Sequence, residues 1–229
     1  MVALFVLLTI AVFVLIDFFV QRAARRREAP ALQAERPSLL DRFVVPKGYF
    51  LSRAHAWIEV LASGKTRIGI DDFVQKLVGA IDSVSLVPVG STVRKGQTLV
   101  TLRQGGRSLT IPSPLSGTVK EINQSLLEDA ASVNTDPYGS GWIAVIEPSA
   151  LGSELPSAAI SGGAVTWLRS EIARFRDFIN EYALRSDAEP RLAGATLLDG
   201  GVPVAGILGM TDNRTWERFE REFLVTQED

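Results

Sequence analysis

His55 is the one histidine of the chain, and there is no cysteine, so any imidazole chemistry has to run through a single ring. A hydrolase triad would need that ring as its base, and a metal site built from several histidines cannot be assembled. The lack of cysteine removes thiol nucleophiles, disulfide staples and cysteine-held zinc or iron–sulfur sites together. Asp71 and Asp72 stand side by side and suggest a carboxylate dyad or a cation site. At a strand-to-helix turn the same pair has a simpler use, because aspartate side chains accept the unpaired N–H groups of a helix start. His55 falls in an expected edge strand beside Trp57, where a structural or surface role is the simpler one. Gly139 and Gly141 give backbone freedom rather than a phosphate cradle, and no P-loop or dinucleotide fingerprint is present. No catalytic residue, metal site, cofactor or small-molecule substrate is assigned on these grounds, and the chain reads as non-enzymatic.

The elements that would carry these residues fall into four stretches: an apolar segment (1–21), a basic flank and linker (22–42), a β-rich domain (43–149) and a C-terminal extension (150–229). With 229 residues and 46% hydrophobic content, the chain can bury a substantial core. Its 24 basic and 26 acidic residues, net charge −2, provide no basic face for nucleic acid. Val2 to Val20 is an almost continuous apolar run, interrupted by Thr9 and Asp17, and is long enough to cross a hydrocarbon core of about 30 Å. A cleaved signal peptide is the rival reading, but the basic start, short apolar core and small-residue cleavage site that define one are not evident. Arg22, Arg25, Arg26 and Arg27 follow the run at once. The positive-inside bias then predicts a single span with its N-terminus outside and all that follows in the cytoplasm, at a bacterial inner membrane. Asp17 lies near the cytoplasmic end, where it can reach the interface or pair with the arginines rather than serve proton or pigment chemistry. Phe18 and Phe19 face lipid or a partner helix, and Arg25 and Arg26 face anionic headgroups. These five residues are candidate contacts with membrane lipid or with other subunits.

From Phe43 to Ile146 short alternating or β-branched runs (AWIEV, TRIGI, SVSLV, TLVTL, SLTI, GTVKEI, WIAVI) are separated by Gly, Pro, Asn and Asp, which predicts an all-β core with one short helix at Asp72–Leu77. After Pro148 the period changes. Leu168, Ile172, Phe175, Ile179 and Tyr182 make one helical stripe, with Arg169, Glu171, Arg174, Arg176 and Asp177 mostly off it. A second helix starts near Thr211 or Asp212 and aligns Trp216, Phe219 and Phe223. Between the two, residues 197–209 (LLDGGVPVAGILG) have the look of a hairpin or strand pair. Trp167, Trp216 and Phe219 either pack the late helices onto the β domain or offer a surface to a partner protein.

The order of these pieces resembles the H protein of the glycine cleavage system. AHAWIEV followed by TRIGIDDFVQKLVGAIDSVSL is similar to that family's His-x-Trp strand and I-G-I-[TD]-D-[YF]-[AV]-Q segment. VGSTVRKG, PSPLSGTVKEIN and NTDPYGSGWIAVIEPS follow in the family's order, with Asp136 to Trp142 the most specific piece. The resemblance covers roughly Tyr49 to Ser149. It implies a mainly β, flattened hybrid barrel of the lipoyl-carrier type, in which lipoate is carried on a lysine at a hairpin tip. At the family's spacing from Ser113-Pro114 that lysine falls at Gly106, within Arg103-Gln104-Gly105-Gly106-Arg107. An arginine cannot stand in, since its guanidinium stays protonated. Lys95 and Lys120 are the nearest lysines, one in a turn and one in a strand. The swinging-arm function is therefore expected to be lost, and Gly105-Gly106 to make a tight turn.

Along its whole length the chain also resembles membrane-anchored, H-like bacterial proteins. The expectation is a non-enzymatic accessory or scaffold subunit of a larger inner-membrane complex, respiratory or photosynthetic, with a non-lipoylated H-like domain on the cytoplasmic face. A membrane-tethered lipoyl-related carrier or docking protein is the first alternative. A transport adaptor is the second, opposed by the cytoplasmic placement and by the lack of a long heptad hairpin.

Overall fold

A computed structural model describes residues 43–185 and 205–225. The expected membrane span, its flank and linker, and with them Asp17, Phe18, Phe19, Arg25 and Arg26, lie outside the described residues, as does residues 197–204 of the segment between the late helices. Among the described residues no helix is long and apolar enough to cross a membrane.

The alternating runs form strands in register with their turn signals. In chain order the first elements are β1 (Phe50–Leu51), β2 (Ala56–Val60), β3 (Thr66–Ile70), helix α1 (Asp72–Val78), β4 (Ser83–Leu86) and β5 (Thr92–Val93). Next come β6 (Thr98–Gln104), β7 (Arg107–Pro112), β8 (Gly117–Ile122), single-turn helices α2 (Ser125–Glu128) and α3 (Ser132–Thr135), and β9 (Trp142–Pro148). A seven-stranded sheet runs β10-β1-β2-β3-β9-β8-β5, where β10 is Ala159–Ile160, and a three-stranded sheet runs β4-β6-β7. The strand pairs are antiparallel, and short hairpin connections, which impose that direction, join β1 to β2, β2 to β3 and β6 to β7.

Where β8 and β9 pair, Gly117 lies opposite Pro148. A Cβ at Gly117 would strike the Glu147 carbonyl oxygen and stand 2.9 Å from Pro148 Cα. Backbone atoms inside a ladder cannot step aside as a side-chain tip can. Gly117→Ala is therefore expected to destabilise the protein by about 2 kcal/mol or more, measured as a lower midpoint in urea at unchanged slope. A wild-type midpoint would show that β9 can shift.

Past β9 the chain forms a further single-turn helix, α4 (Leu151–Glu154), and adds β10 to the edge of the large sheet. It then enters the long helix α5 (Ser161–Arg185) and, later, α6 (Asn213–Phe219), which runs on as a wider turn over Glu220–Leu224. The stripe expected on α5 is the face that packs: Leu168, Ile172, Phe175 and Ile179 are buried. At the start of α6, Asp212 accepts the Thr215 N–H at 2.7 Å, satisfying one of the helix's free donors. The residues just before α6 depart from the expected hairpin, since Ile207–Met210 make a 3-10 turn. Gly206 takes a left-handed φ of 76° there and packs against Gly79. Residues from both sheets, α1, α5 and α6 share one hydrophobic core. Trp167, Trp216 and Phe219 belong to that core, so the expectation that they face a partner is corrected. Their rings fill the space between barrel and helices, because small sheets leave apolar faces that something must cover.

Candidate functional site

Gly105 and Gly106 form the two-residue link between β6 and β7, both at positive φ (56° and 80°), with Gln104 opposite Arg107. Those dihedrals are those of a type I′ turn, whose twist suits a two-residue hairpin and which glycine adopts without penalty. A Cβ at either glycine would meet nothing within 4 Å. The tip is open, but it presents no amine on which a lipoyl group could be carried. Lys95 lies in another turn with its Nζ on Ser157 Oγ at 2.8 Å, and Lys120 in β8 pairs with Glu147 at 2.6 Å. The residues present do not fit a lipoyl prosthetic group.

The same hairpin is fastened from both sides. Gln104 donates to the carbonyls of Val78 (2.7 Å) and Ala80 (2.8 Å), and the Gly105 N–H donates to Asp82 at 2.7 Å. β7 is an outer strand of its sheet, which leaves backbone groups that a sheet edge normally exposes for pairing. Here the late helix satisfies two of them: the Thr110 N–H donates to Glu220 at 2.8 Å, and the Ser108 carbonyl accepts the Trp216 indole N–H at 2.6 Å. Arg107 adds a cation–π contact, 5.5 Å from the Trp216 ring centre. Trp216→Phe keeps the ring but orphans the Ser108 carbonyl, so a loss of about 1 kcal/mol is expected, together with faster amide exchange along β7. Unchanged exchange would mean that the indole N–H does not hold the edge.

The Asp136–Trp142 segment braces the barrel. Asp136 accepts the Ser140 N–H at 2.7 Å, and that bond, with the Ser140 hydroxyl, holds its carboxyl below the usual carboxylate range. The Pro137 carbonyl accepts the Trp57 indole N–H at 2.9 Å. The Tyr138 hydroxyl donates to the Val44 carbonyl at 2.7 Å and accepts the Asp72 N–H at 3.1 Å. Burial raises the Tyr138 phenol, which therefore stays protonated, as the bond it donates to Val44 requires. Gly139 and Gly141 serve close approach: a Cβ on Gly139 would strike the Asp136 carboxylate, and one on Gly141 would lie 2.6 Å from the Ser132 carbonyl oxygen.

His55 does not lie in an edge strand. It ends the turn between β1 and β2, at φ 62°, and β2 is flanked on both sides. The ring is fully buried, between Phe73 (ring centres 4.7 Å apart) and Trp167 (4.9 Å). A non-glycine residue at positive φ is strained, so surrounding contacts must hold it. They do so twice: the Asp71 N–H donates to the His55 carbonyl at 2.9 Å, and His55 Nδ1 lies 2.7 Å from Asp71 Oδ2. Asp71 Oδ1 meanwhile caps α1 by accepting the Val74 N–H at 3.0 Å. Asp72 does not cap; it accepts from the Val44 N–H (2.8 Å) and Lys76 (2.6 Å). On the other side of the ring, Glu171 Oε2 of α5 is 3.7 Å from His55 Nε2, close enough for an ion pair but too far for a hydrogen bond. Glu171 in turn holds Arg174 at 2.7 Å. Burial disfavours charge on the imidazole, but Asp71 and, less strongly, Glu171 outweigh it and push the pKa up to about 9. A chain of alternating charge thus runs from Asp71 in the barrel through His55 to Glu171 and Arg174 in the extension. Sequence reasoning left Glu171 among the polar residues off the apolar stripe; its one available signal is that it lies three residues after Leu168 and four before Phe175, at the margin of that stripe.

Residues 49–159 match the family model for the glycine cleavage H-protein. A glycine cleavage system H protein of Coprothermobacter proteolyticus is 42% identical over 105 residues, which cover 46% of this chain and 83% of that protein. A probable glycine cleavage system H protein of Pyrococcus abyssi is 37% identical over 113 residues, covering 49% and 84% of the two chains. Among solved structures, a glycine cleavage system H protein of Mycobacterium marinum is similar at 28% identity and a TM-score of 0.43, over 46% of this chain and 87% of that one. The matched residues of the family model end within β10, before α5 begins. With a 42%-identical relative matched over 83% of its length, the chain belongs to the glycine cleavage H-protein family.

Proposed function

We propose that this member of the family does not carry lipoate and works as a non-enzymatic scaffold or accessory subunit of a larger complex at a bacterial inner membrane. The observation that carries the reading is the hairpin tip, where Gly105-Gly106 stands in place of an amine while the adjoining strand edge is bonded to Trp216 and Glu220. A carrier arm needs a reactive lysine on a freely presented hairpin; this hairpin is instead tied to the appended helices. The apolar run Val2 to Val20 and the arginines after it support a membrane anchor with the H-like domain on the cytoplasmic face. The test is to treat the full-length chain with a lipoate ligase and lipoate, read its intact mass, and identify the proteins that co-purify with it from native membranes in mild detergent. An unmodified chain in stoichiometric association with other membrane proteins is the expected result. A chain that gains the lipoyl mass sinks the proposal and restores the tethered carrier, and an unmodified chain that leaves the membrane alone sinks the scaffold reading.

A further inference from the structure

Where the β1–β2 turn meets α5 and the wide turn after α6, the surface opens into a cavity of about 690 Å³ lined by three arginines, Arg53, Arg174 and Arg221. Trp167 and Phe223 wall it, and two carboxylates, Glu171 and Glu222, also reach it. Both carboxylates are already engaged. Glu171 is ion-paired with Arg174 at 2.7 Å and lies against His55, while Glu222 is turned to Arg218 at 2.6 Å. Arg174 is fixed in place as well: it donates to the Glu222 carbonyl at 3.1 Å, and its guanidinium sits 4.1 Å from the centre of the Phe223 ring. Arg53 makes a cation–π contact with Trp167 at 5.7 Å. Among the described residues neither Arg53 nor Arg221 has a carboxylate partner.

The geometry points to a binding site for a phosphate monoester group in this cavity, gripped by Arg53 and Arg221 with Arg174 as its fixed floor. Planar guanidinium forks match phosphate oxygens two at a time, and two unpaired arginines balance the charge of a monoester dianion. A carboxylate would occupy one fork and leave the other idle. The cavity, about 690 Å³, is larger than a phosphate needs, so it has room for the body of the molecule that bears the group. The site combines a turn of the family domain with helices beyond it, and stands independently of the scaffold reading.

Two sources share this chemistry, a soluble phosphate monoester and a lipid headgroup. The experiment uses the full-length chain in phosphatidylcholine nanodiscs and follows its thermal midpoint in two arms, one with added glycerol 3-phosphate and one with phosphatidic acid in the bilayer. A saturable rise with glycerol 3-phosphate assigns a soluble ligand, and a rise with phosphatidic acid alone assigns a lipid headgroup. In either case the effect weakens roughly tenfold in apparent affinity for each of Arg53→Gln and Arg221→Gln. Both side chains are exposed, so these variants fold, and Arg53→Lys/Arg221→Lys, which keeps charge but loses the fork, falls between. No rise in either arm, or a rise that Arg53→Gln/Arg221→Gln leaves unchanged, overturns the site.

Discussion

Phe175→Ala is expected to cost about 4 kcal/mol, the range found when a fully buried aromatic ring is removed and its cavity cannot collapse. Phe175 is fully buried on α5, and its ring centre lies within 6 Å of four others: Phe73 of α1 (5.9 Å), Phe178 (5.9 Å), Phe219 of α6 (5.7 Å) and Phe223 (5.8 Å). Three of those four pairs are edge-to-face, an arrangement that adds to area burial because ring edges are positive and ring faces negative. The ring is the hub through which the barrel, by way of Phe73, meets both late helices. Its loss should lower the thermal midpoint by on the order of 10 °C for a domain of this size, and it should expose β7 to amide exchange as α6 loosens. Leu127→Ala serves as the control: that side chain is largely exposed, and a change within about 0.5 kcal/mol is expected. If the two variants melted alike, the extension would not share the barrel's core.

The same hub marks the boundary of what could be read in advance. Most of the barrel strands were legible because each β-branched run is bounded by a turn former whose geometry leaves few choices, as at Gly105-Gly106. The α5 stripe was legible because a period of 3.6 residues cannot be mistaken for alternation over about four turns. What the residues did not disclose is which apolar surfaces meet. Trp167, Trp216 and Phe219 satisfy the same pattern whether they cover the domain's own sheet or wait for a partner, since periodicity records that a face is apolar and not what covers it. The two-residue strands β1 and β10 carry too few residues for any period, and β10 exists only because the extension returns to β1.

The charged part of the site was hidden for a different reason. His55 and Asp71 are brought together by antiparallel pairing of β2 with β3, where Ala56 lies opposite Ile70. The residues just beyond that pair therefore face each other, a consequence that becomes visible once the register is known. Glu171 arrives from a helix outside the matched family segment, so neither the family pattern nor local spacing links it to His55. Asp71 caps α1 as its place at the strand-to-helix turn predicts, but one oxygen suffices for that, and the other holds the histidine.

That pairing sets a second large effect, the response of stability to pH. The folded His55 pKa of about 9 lies above the ordinary value near 6.5, so the folded state binds the proton more tightly than the unfolded chain. Below about pH 6.5 both states are protonated and the full stabilisation is present. As pH rises the unfolded chain releases its proton first, and the contribution declines until the folded ring also titrates near pH 9. Stability should thus fall across roughly pH 6.5 to 9, by up to about 3 kcal/mol if the whole shift is realised. His55→Asn separates this charge from the turn, because asparagine tolerates positive φ and does not titrate. Its urea midpoint should be lower than wild type at pH 6 and nearly flat through the same range. His55→Ala, which also leaves Asp71 Oδ2 buried beside Glu171 without the intervening cation, should cost about 3 to 5 kcal/mol near neutral pH. A wild-type profile as flat as that of His55→Asn would mean that the buried ring is neutral. The ion pair across to Glu171 would then not exist, and the extension would be held to the barrel by its aromatic contacts, by the bonds of Trp216 and Glu220 to β7 and by the β10–β1 pairing.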